Sequence, residues 1–94
     1  MPHFVLLCVD KPDSLDLRMA TREAHLAFAR GYGPRIKVGG PILSESGDMA
    51  GSLLIMEAED ISEARKFNAE DPYTKAGLWE RVEIRPFRAT VGQL

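Results

Sequence analysis

Hydrophobic and polar positions are spaced along the chain in a way that predicts four strands. Residues 3–9 and 51–58 are short runs that are apolar at both odd and even positions, which is typical of strands covered on both faces. Residues 35–43 predict a weaker strand, because two glycines interrupt it and Pro41 lies near its end. Residues 78–87 alternate apolar side chains with Arg and Glu, as a strand with one solvated face does.

A first helix is predicted over residues 16–32, where apolar residues recur every three or four positions. Asp16 is its candidate N-cap, and Gly31 and Gly33-Pro34 end it. The stripe that this spacing predicts to be buried consists of Leu17, Ala20, Ala24, Ala27, Phe28 and Gly31.

A second helix is predicted to begin at Asp60, which forms a capping box with Glu63. Asp71-Pro72 ends this helix, because a proline disfavours the helical conformation of the residue before it. Asp71 can then cap one further turn over residues 72–77, with Pro72 at its first position. The inner stripe of the second helix consists of Ile61, Ala64, Phe67 and Asn68.

The predicted order of elements is β-α-β-β-α-β, which indicates an α+β, ferredoxin-like fold with a four-stranded antiparallel sheet. Strands one and three are central in this fold, and both helices cover the same face. The second face of these apolar strands is then left in water, and such a patch usually marks an interface. We therefore expect a homodimer through the open sheet face. The alternative is that the C-terminal tail or a long loop covers that face.

Length and charge exclude several classes of protein. The 94 residues fit one domain over 1–94. The 12 Lys+Arg and 14 Asp+Glu nearly cancel, at a net charge of −2, so we expect no nucleic-acid partner and no membrane partner. No stretch reaches the ~18–20 apolar residues of a membrane span. The start lacks the basic leading region of a signal peptide, and Cys8 has no second cysteine to pair with, so we expect a cytoplasmic protein.

His25 and Asp71 are the candidates for acid–base chemistry. His25 lies at the edge of the predicted buried stripe, on the same side of the helix as Arg18 and Arg22. A histidine in this position can reach a cleft between helix and sheet and act as an acid or a base. The alternative is a surface histidine on a solvated helix. Asp71 is either an ordinary cap or the carboxylate that orients a histidine, and spacing does not decide between these.

Three further residues are candidates for binding a substrate. Gly40 and Pro41 end an edge strand, where glycine lets a ligand approach the backbone closely or simply marks a bulge. Ser52 lies across the following turn and can line the same pocket, although it lacks the context of a nucleophilic serine. His3 and His25 have no suitably spaced acidic partner, so no metal site is predicted.

These residues occur in an ordered set of short motifs. The set consists of Arg22-x-x-His25-Leu26, Gly40-Pro41, Gly51-Ser52, Asp71-Pro72-Tyr73, Gly77-Leu78 and Val82-Glu83-Ile84-Arg85-Pro86-Phe87. It resembles the pattern of the YciI-like (YCII-related) family over nearly the whole chain. The resemblance implies a ferredoxin-like dimeric α+β barrel, a homodimer, and a His–Asp active site at His25 and Asp71. Most members have no assigned reaction, and a few relatives are dehydrochlorinases of chlorinated aromatic compounds.

Two hypotheses of function follow from the residues and the resemblance. The first is a cofactor-independent enzyme in which His25 and Asp71 transfer protons on a small cyclic or aromatic-derived substrate, as an isomerase or a dehydrochlorinase-like lyase does. Arg22, Gly40, Pro41 and Ser52 then bind the substrate. The second hypothesis is a non-catalytic module of the same fold that binds a small molecule or a partner, because a fold alone does not determine a function.

Overall fold

The computed structural model describes residues 1–94 and contains four strands and three helices. The strands are β1 (His3–Asp10), β2 (Ile36–Leu43), β3 (Met49–Glu57) and β4 (Trp79–Phe87). The helices are α1 (Leu15–Arg30), α2 (Ile61–Glu70) and the short α3 (Pro72–Lys75), and a 3-10 turn spans Gly33–Arg35. None of the helices has the length and apolar character that crossing a lipid bilayer requires.

The strands form one antiparallel sheet in the order β2-β3-β1-β4. This order confirms the predicted ferredoxin-like fold, with β1 and β3 at the centre. Both central strands are apolar at odd and even positions, as strands with two covered faces are. Between Val9 and Asp10, the register of β1 with β4 shifts, so that Val9 pairs with Arg81 and Asp10 pairs with Trp79.

The core lies between the sheet and the helices. Alternate residues of β1 and β3 point toward the helices and are buried against α2, which contributes Ala64 and Phe67. The ring of Phe67 lies 5.0 Å from that of Phe28 and 4.9 Å from that of Tyr32, which connects α2 to α1. Burial of each large apolar side chain contributes about 1.5–3 kcal/mol. The core members from the sheet are Phe4, Leu6, Leu54 and Met56.

The predicted helix starts differ in accuracy. Asp60 caps α2 by accepting hydrogen bonds from the backbone of Ser62 and Glu63, and Asp71 caps α3 by accepting one from Tyr73, so both predicted caps are confirmed. The prediction of Asp16 as the cap of the first helix is wrong. The N-cap is Ser14, whose carbonyl oxygen already accepts the first helical hydrogen bond.

The predicted buried stripe of α1 is wrong except at Phe28, which is half-buried and packs against the core. Leu17 is 38% exposed, and the alanines of that stripe are exposed as well. The buried residues of α1 are instead Arg18 and His25, on the side of the helix where partners from other elements pair with them. Apolar spacing identifies the inner side of a helix only when the inner side is apolar, because charged side chains can be buried when they are paired.

The second face of the sheet has no helix over it. Val38 on β2 is 48% exposed and Leu53 on β3 is 36% exposed, whereas Val5, Leu7 and Val9 on β1 are half-buried. The tail from residue 88 to residue 94 is exposed throughout. The tail and the loops therefore leave part of this apolar face open to solvent. We call the residues Val5, Leu7, Val9, Val38, Ile42, Leu53 and Ile55 the open face.

Candidate active site

A hydrogen bond joins His25 of α1 to Asp71, the residue between α2 and α3. The distances from His25 Nδ1 are 2.9 Å to Asp71 Oδ1 and 3.1 Å to Oδ2, and both residues are buried. The backbone N–H of Tyr73 donates to the same Oδ1 at 2.9 Å. The Asp-Pro junction therefore caps α3 and holds the imidazole with one carboxylate, so both interpretations of Asp71 from the sequence apply.

The ring of Tyr73 packs against one face of the His25 imidazole. The rings of His25 and Tyr73 are stacked, with centroids 4.1 Å apart and planes 17° apart. The Cζ atom of Arg18 lies 4.6 Å from the centroid of the same tyrosine ring, within the range of a cation–π contact. Burial raises the pKa of Tyr73, and the charges of Arg18 and Arg22 partly oppose this rise. Tyr73 is therefore a neutral phenol at physiological pH.

Arg18 joins three elements of the site, although it is only 2% exposed. Its Nε donates to Asp10 Oδ2 at 2.7 Å and its Nη2 donates to Asp10 Oδ1 at 3.0 Å, which forms a bidentate pair with the end of β1. The same Nη2 donates to Ser52 Oγ at 2.8 Å on β3, and Nη1 donates to the hydroxyl of Tyr73 at 3.4 Å. The carboxylate of Asp10 compensates for burying this charge.

The shift in register at the end of β1 supports this arrangement. Between the pairs Val9–Arg81 and Asp10–Trp79, β4 has one extra residue, which forms a bulge. Such bulges change the direction in which a side chain points. The ring of Trp79 lies 5.7 Å from Arg18 Cζ and 5.4 Å from the ring of Tyr73. Trp79 thus packs against Arg18 and Tyr73 from the side of β4.

A cavity of about 130 Å³ lies between α1 and the sheet beside His25. Five of the six site residues expected from the sequence line it: Arg22, His25, Gly40, Pro41 and Ser52. Asp71, the sixth, lies behind the imidazole and reaches the cavity only through His25. The structure therefore brings all six residues to one site.

The cavity wall also contains residues that the sequence did not single out as site candidates. These residues are Arg18, Leu26, Ala29, Ile36, Gly39, Met49, Leu54 and Tyr73. The spacing of Arg18, Arg22 and Ala29 around His25 was a usable signal, because these residues share one side of a helix. Glycine at position 39 lets β2 lie close to the side chain of Leu54, since a Cβ there would lie 3.2 Å from Leu54 Cγ. No signal in the sequence pairs Arg18 with Asp10.

Cys8 and His3 lie outside the cavity wall. Cys8 is buried, and burial raises the pKa of its thiol to about 12. His3 begins β1, and its Nε2 lies 3.8 Å from Glu57 Oε2. No group of three or more His, Cys, Asp or Glu side chains is arranged to hold a metal ion.

Known proteins are similar to this chain in sequence and fold. The model of the YCII-related domain matches residues 2–88. Protein YciI of Escherichia coli is 35% identical over 94 residues, covering 90% of this chain and 95% of the relative. An uncharacterized protein of Haemophilus influenzae is 33% identical over 97 residues, covering 92% and 96%. The solved structure of 5-chloro-2-hydroxyhydroquinone dehydrochlorinase from Burkholderia phenoliruptrix, in complex with 2,5-dihydroxybenzoquinone, is 38% identical, with a TM-score of 0.88 over 92% of this chain and 93% of that one.

Proposed function

The chain belongs to the YCII-related domain family, and on that premise we propose that it is a cofactor-independent enzyme that transfers protons on a small cyclic or aromatic-derived substrate. The proposed reaction class is that of an isomerase or a dehydrochlorinase-like lyase. His25 and Asp71 are the proposed catalytic pair, with Asp71 acting through the imidazole.

The observation that carries this proposal is the way in which Asp71 distinguishes the two nitrogens of His25. Carboxylate oxygens accept hydrogen bonds, so Nδ1, at 2.9 Å from Asp71 Oδ1, carries the proton. In the neutral ring, Nε2 then has a free lone pair. Nε2 has no hydrogen-bond partner in the protein and is not sealed from solvent, and His25 lines the cavity. A base positioned in this way contributes about 10²–10⁴-fold to a rate.

The size of the cavity supports a substrate with a single ring. Its volume is about 130 Å³, and apolar cavities of roughly 150 Å³ hold one benzene molecule. The dehydrochlorinase relative is likewise found with a single-ring quinone. In the elimination that we propose for a chlorinated hydroxyhydroquinone, one hydroxyl proton moves to the ring carbon that bears chlorine. Loss of a second hydroxyl proton then expels chloride, so that a hydroxyquinone and HCl form without an oxidant.

The proposed binding residues place a hydroxyl group, a strand edge and a cationic group around the imidazole. Ser52 Oγ accepts a hydrogen bond from Arg18 Nη2, which leaves the hydroxyl proton of Ser52 free to point at a substrate oxygen. Gly40 and Pro41 wall the cavity with the edge of β2, and Arg22 adds a cationic group. A flat ring with two or more oxygens fits this mixture of donors and apolar wall.

The test is release of chloride from 5-chloro-2-hydroxyhydroquinone, followed together with the absorbance of the quinone product. Incorporation of solvent deuterium into unchlorinated hydroxyhydroquinones measures proton transfer without elimination. We expect His25→Gln to lose about 10²–10⁴-fold in kcat/KM. His3→Gln is the matched control, because His3 lies outside the cavity wall, and it should keep full activity. Equal activity of His25→Gln and the wild type refutes the proposal, and binding of the quinone without any proton transfer favours a binding module.

We also propose that the protein is a homodimer through the open face. The support is an apolar sheet surface that no helix covers, with Val38 48% exposed and Leu53 36% exposed. Along β4 the same face changes to the charged residues Arg81, Glu83 and Arg85, which form a polar border. An apolar centre with a polar rim is the usual composition of a protein interface.

Sedimentation velocity of two matched variants tests this assembly. Leu53→Glu places a charge at the centre of the open face and should convert a dimer into a 10.4 kDa monomer. Leu17→Glu introduces the same charge at a leucine of similar exposure, 38%, on the outer side of α1, and should remain dimeric. The assembly is ruled out if the wild type sediments as a monomer at a protein concentration of about 100 µM. At this concentration, even a weak dimer with a dissociation constant of about 10 µM is mostly associated.

A further inference from the structure

Arg22 differs from Arg18 and Arg35, the other two arginines that are buried or half-buried. It is half-buried and lines the cavity beside His25, yet it forms no hydrogen bond and no ion pair with any residue. Arg18, one helical turn earlier, is bound to Asp10 through two hydrogen bonds. Arg35, which is also half-buried, is paired with Glu63. The charge of Arg22 is therefore the uncompensated one at the cavity.

No neighbouring residue stabilises the positive charge of Arg22, so its place in the cavity wall is not explained by the stability of the fold. Its neighbours four residues away on α1 are Arg18 and Leu26, and neither side chain can form an ion pair with a cation. The residues that line the cavity include two arginines and one histidine but no aspartate or glutamate. A half-buried cation without a partner loses hydration and gains no ion pair in exchange.

The field of Arg22 also reaches the ring that supports His25. Arg22 and Arg18 both favour the ionised form of Tyr73, against the effect of burial on its pKa. Because Arg18 is already neutralised by Asp10, a negative group on a ligand gains most from Arg22. The cavity thus contains one unpaired positive charge and no negative side chain, so it favours an anionic ligand.

We propose that this cavity selects single-ring ligands that carry an anionic oxygen, and that Arg22 binds that oxygen. This inference concerns the same cavity as the proposed function and gives its substrate a charge. The shared chemistry is a negative oxygen on a ring, which either a carboxylate substituent or an ionised ring hydroxyl supplies. A neutral ring of the same shape lacks the charge-assisted hydrogen bond.

Binding of isosteric probes tests the selection without any reaction. Benzoate and benzamide have the same shape and differ in charge, and 4-nitrophenolate and 4-nitroaniline provide the corresponding pair for a ring oxygen. Dissociation constants come from amide chemical shifts of the residues that line the cavity. A charge-assisted hydrogen bond corresponds to about 10- to 100-fold in affinity, so we expect the wild type to prefer benzoate over benzamide by about this factor.

The variants assign the preference to one residue. Arg22→Gln should bind benzoate about as weakly as benzamide, whereas Arg30→Gln, the same change at an exposed arginine of α1, should leave both affinities unchanged. Arg22→Lys should restore part of the preference, because it restores the charge but not the planar donor pair. Thermal unfolding of each variant shows that the fold is intact.

The two proposals for this cavity can fail separately. His25→Gln removes the proposed acid–base group but leaves Arg22, so its preference for benzoate should persist. Equal affinity of the wild type for both members of each pair overturns the inference, as does a preference that survives in Arg22→Gln or a failure of both anions to bind. Preference for only one of the two anions identifies the kind of oxygen that Arg22 binds.

Discussion

Replacement of Asp71 by Asn or by Ala separates the two tasks that the structure gives to this carboxylate. Oδ1 accepts hydrogen bonds from the backbone N–H of Tyr73 and from His25 Nδ1, both at 2.9 Å. Oδ2 lies 3.1 Å from the same Nδ1. Asp71→Asn keeps an oxygen for the cap but places an NH₂ group at the second position. Asp71→Ala removes both groups.

The expected magnitudes differ between the two variants. Asn is as good an N-cap as Asp, so we expect Asp71→Asn to change the free energy of unfolding by less than about 1 kcal/mol. Asp71→Ala loses a cap that contributes about 0.5–2 kcal/mol. It also leaves the buried N–H of His25 without an acceptor, at about 1–3 kcal/mol. Together these effects amount to about 1.5–5 kcal/mol, or a decrease in Tm of about 6–40 °C for a chain of this length.

Asp71→Asn is expected to lose activity although it keeps most of its stability. In Asp71→Asn, an amide NH₂ at the Oδ2 position lies about 3.1 Å from His25 Nδ1 and acts there as a donor, which favours the tautomer with the proton on Nε2 and blocks the proposed base. The wrong tautomer in a comparable triad costs about 10⁴-fold in kcat. Asp71→Asn should therefore unfold like the wild type but lose about 10²–10⁴-fold in proton transfer.

Two measurements check this reasoning. Circular dichroism on heating gives the Tm of the three proteins, and two-bond ¹H–¹⁵N correlation spectra show which nitrogen of His25 carries the proton. A wild-type ring protonated at Nε2 alone refutes the assignment of the base. An Asp71→Ala variant that melts within about 2 °C of the wild type shows that the carboxylate does not organise this junction.

Three further predictions concern the fold around the site. Gly51→Ala should destabilise the protein by about 1–3 kcal/mol in urea unfolding, because its Cβ would lie 2.6 Å from the carbonyl oxygen of Cys8; unchanged stability contradicts this close packing of β1 and β3. The thiol of Cys8, whose pKa burial raises to about 12, should react with Ellman's reagent at pH 8 only after unfolding, so rapid reaction of the folded protein contradicts its burial. Hydrogen bonds from Ser62 and Glu63 hold the pKa of Asp60 below its usual value. The stabilisation from this cap is therefore present above the unfolded-state pKa and is lost as the pH falls through the lower folded-state pKa. Asp60→Ala should lower the free energy of unfolding at pH 7, and its difference from the wild type should shrink as the pH falls through the folded-state pKa of Asp60; a constant difference between neutral and acid pH contradicts the linkage.

Much of the fold could be predicted from local patterns. The two-sided apolar runs identify β1 and β3 as central strands, and the caps at Asp60 and Asp71 are hydrogen bonds within three residues of sequence. Such features depend on neighbouring residues, so a linear reading is sufficient. The six expected site residues came from motifs and from a resemblance to a family, and the spacing alone left each of them with an alternative.

The inner side of α1 could not be predicted in this way. The apolar spacing favoured Leu17 and the alanines, yet Arg18 and His25 are buried. Their burial depends on Asp10, eight residues before Arg18, and on Asp71, 46 residues after His25. A charged side chain looks like a surface residue until its partner is known.

The sequence by itself therefore determined the order and type of the elements and the residue types available for acid–base chemistry. Only the tertiary structure decided that these residues meet at one site, that Tyr73 stacks on the imidazole and that Arg22 has no partner. The physical reason is that hydrophobic periodicity and capping are local, whereas pairing of buried charges is a long-range condition that exists only once the strands and helices have packed.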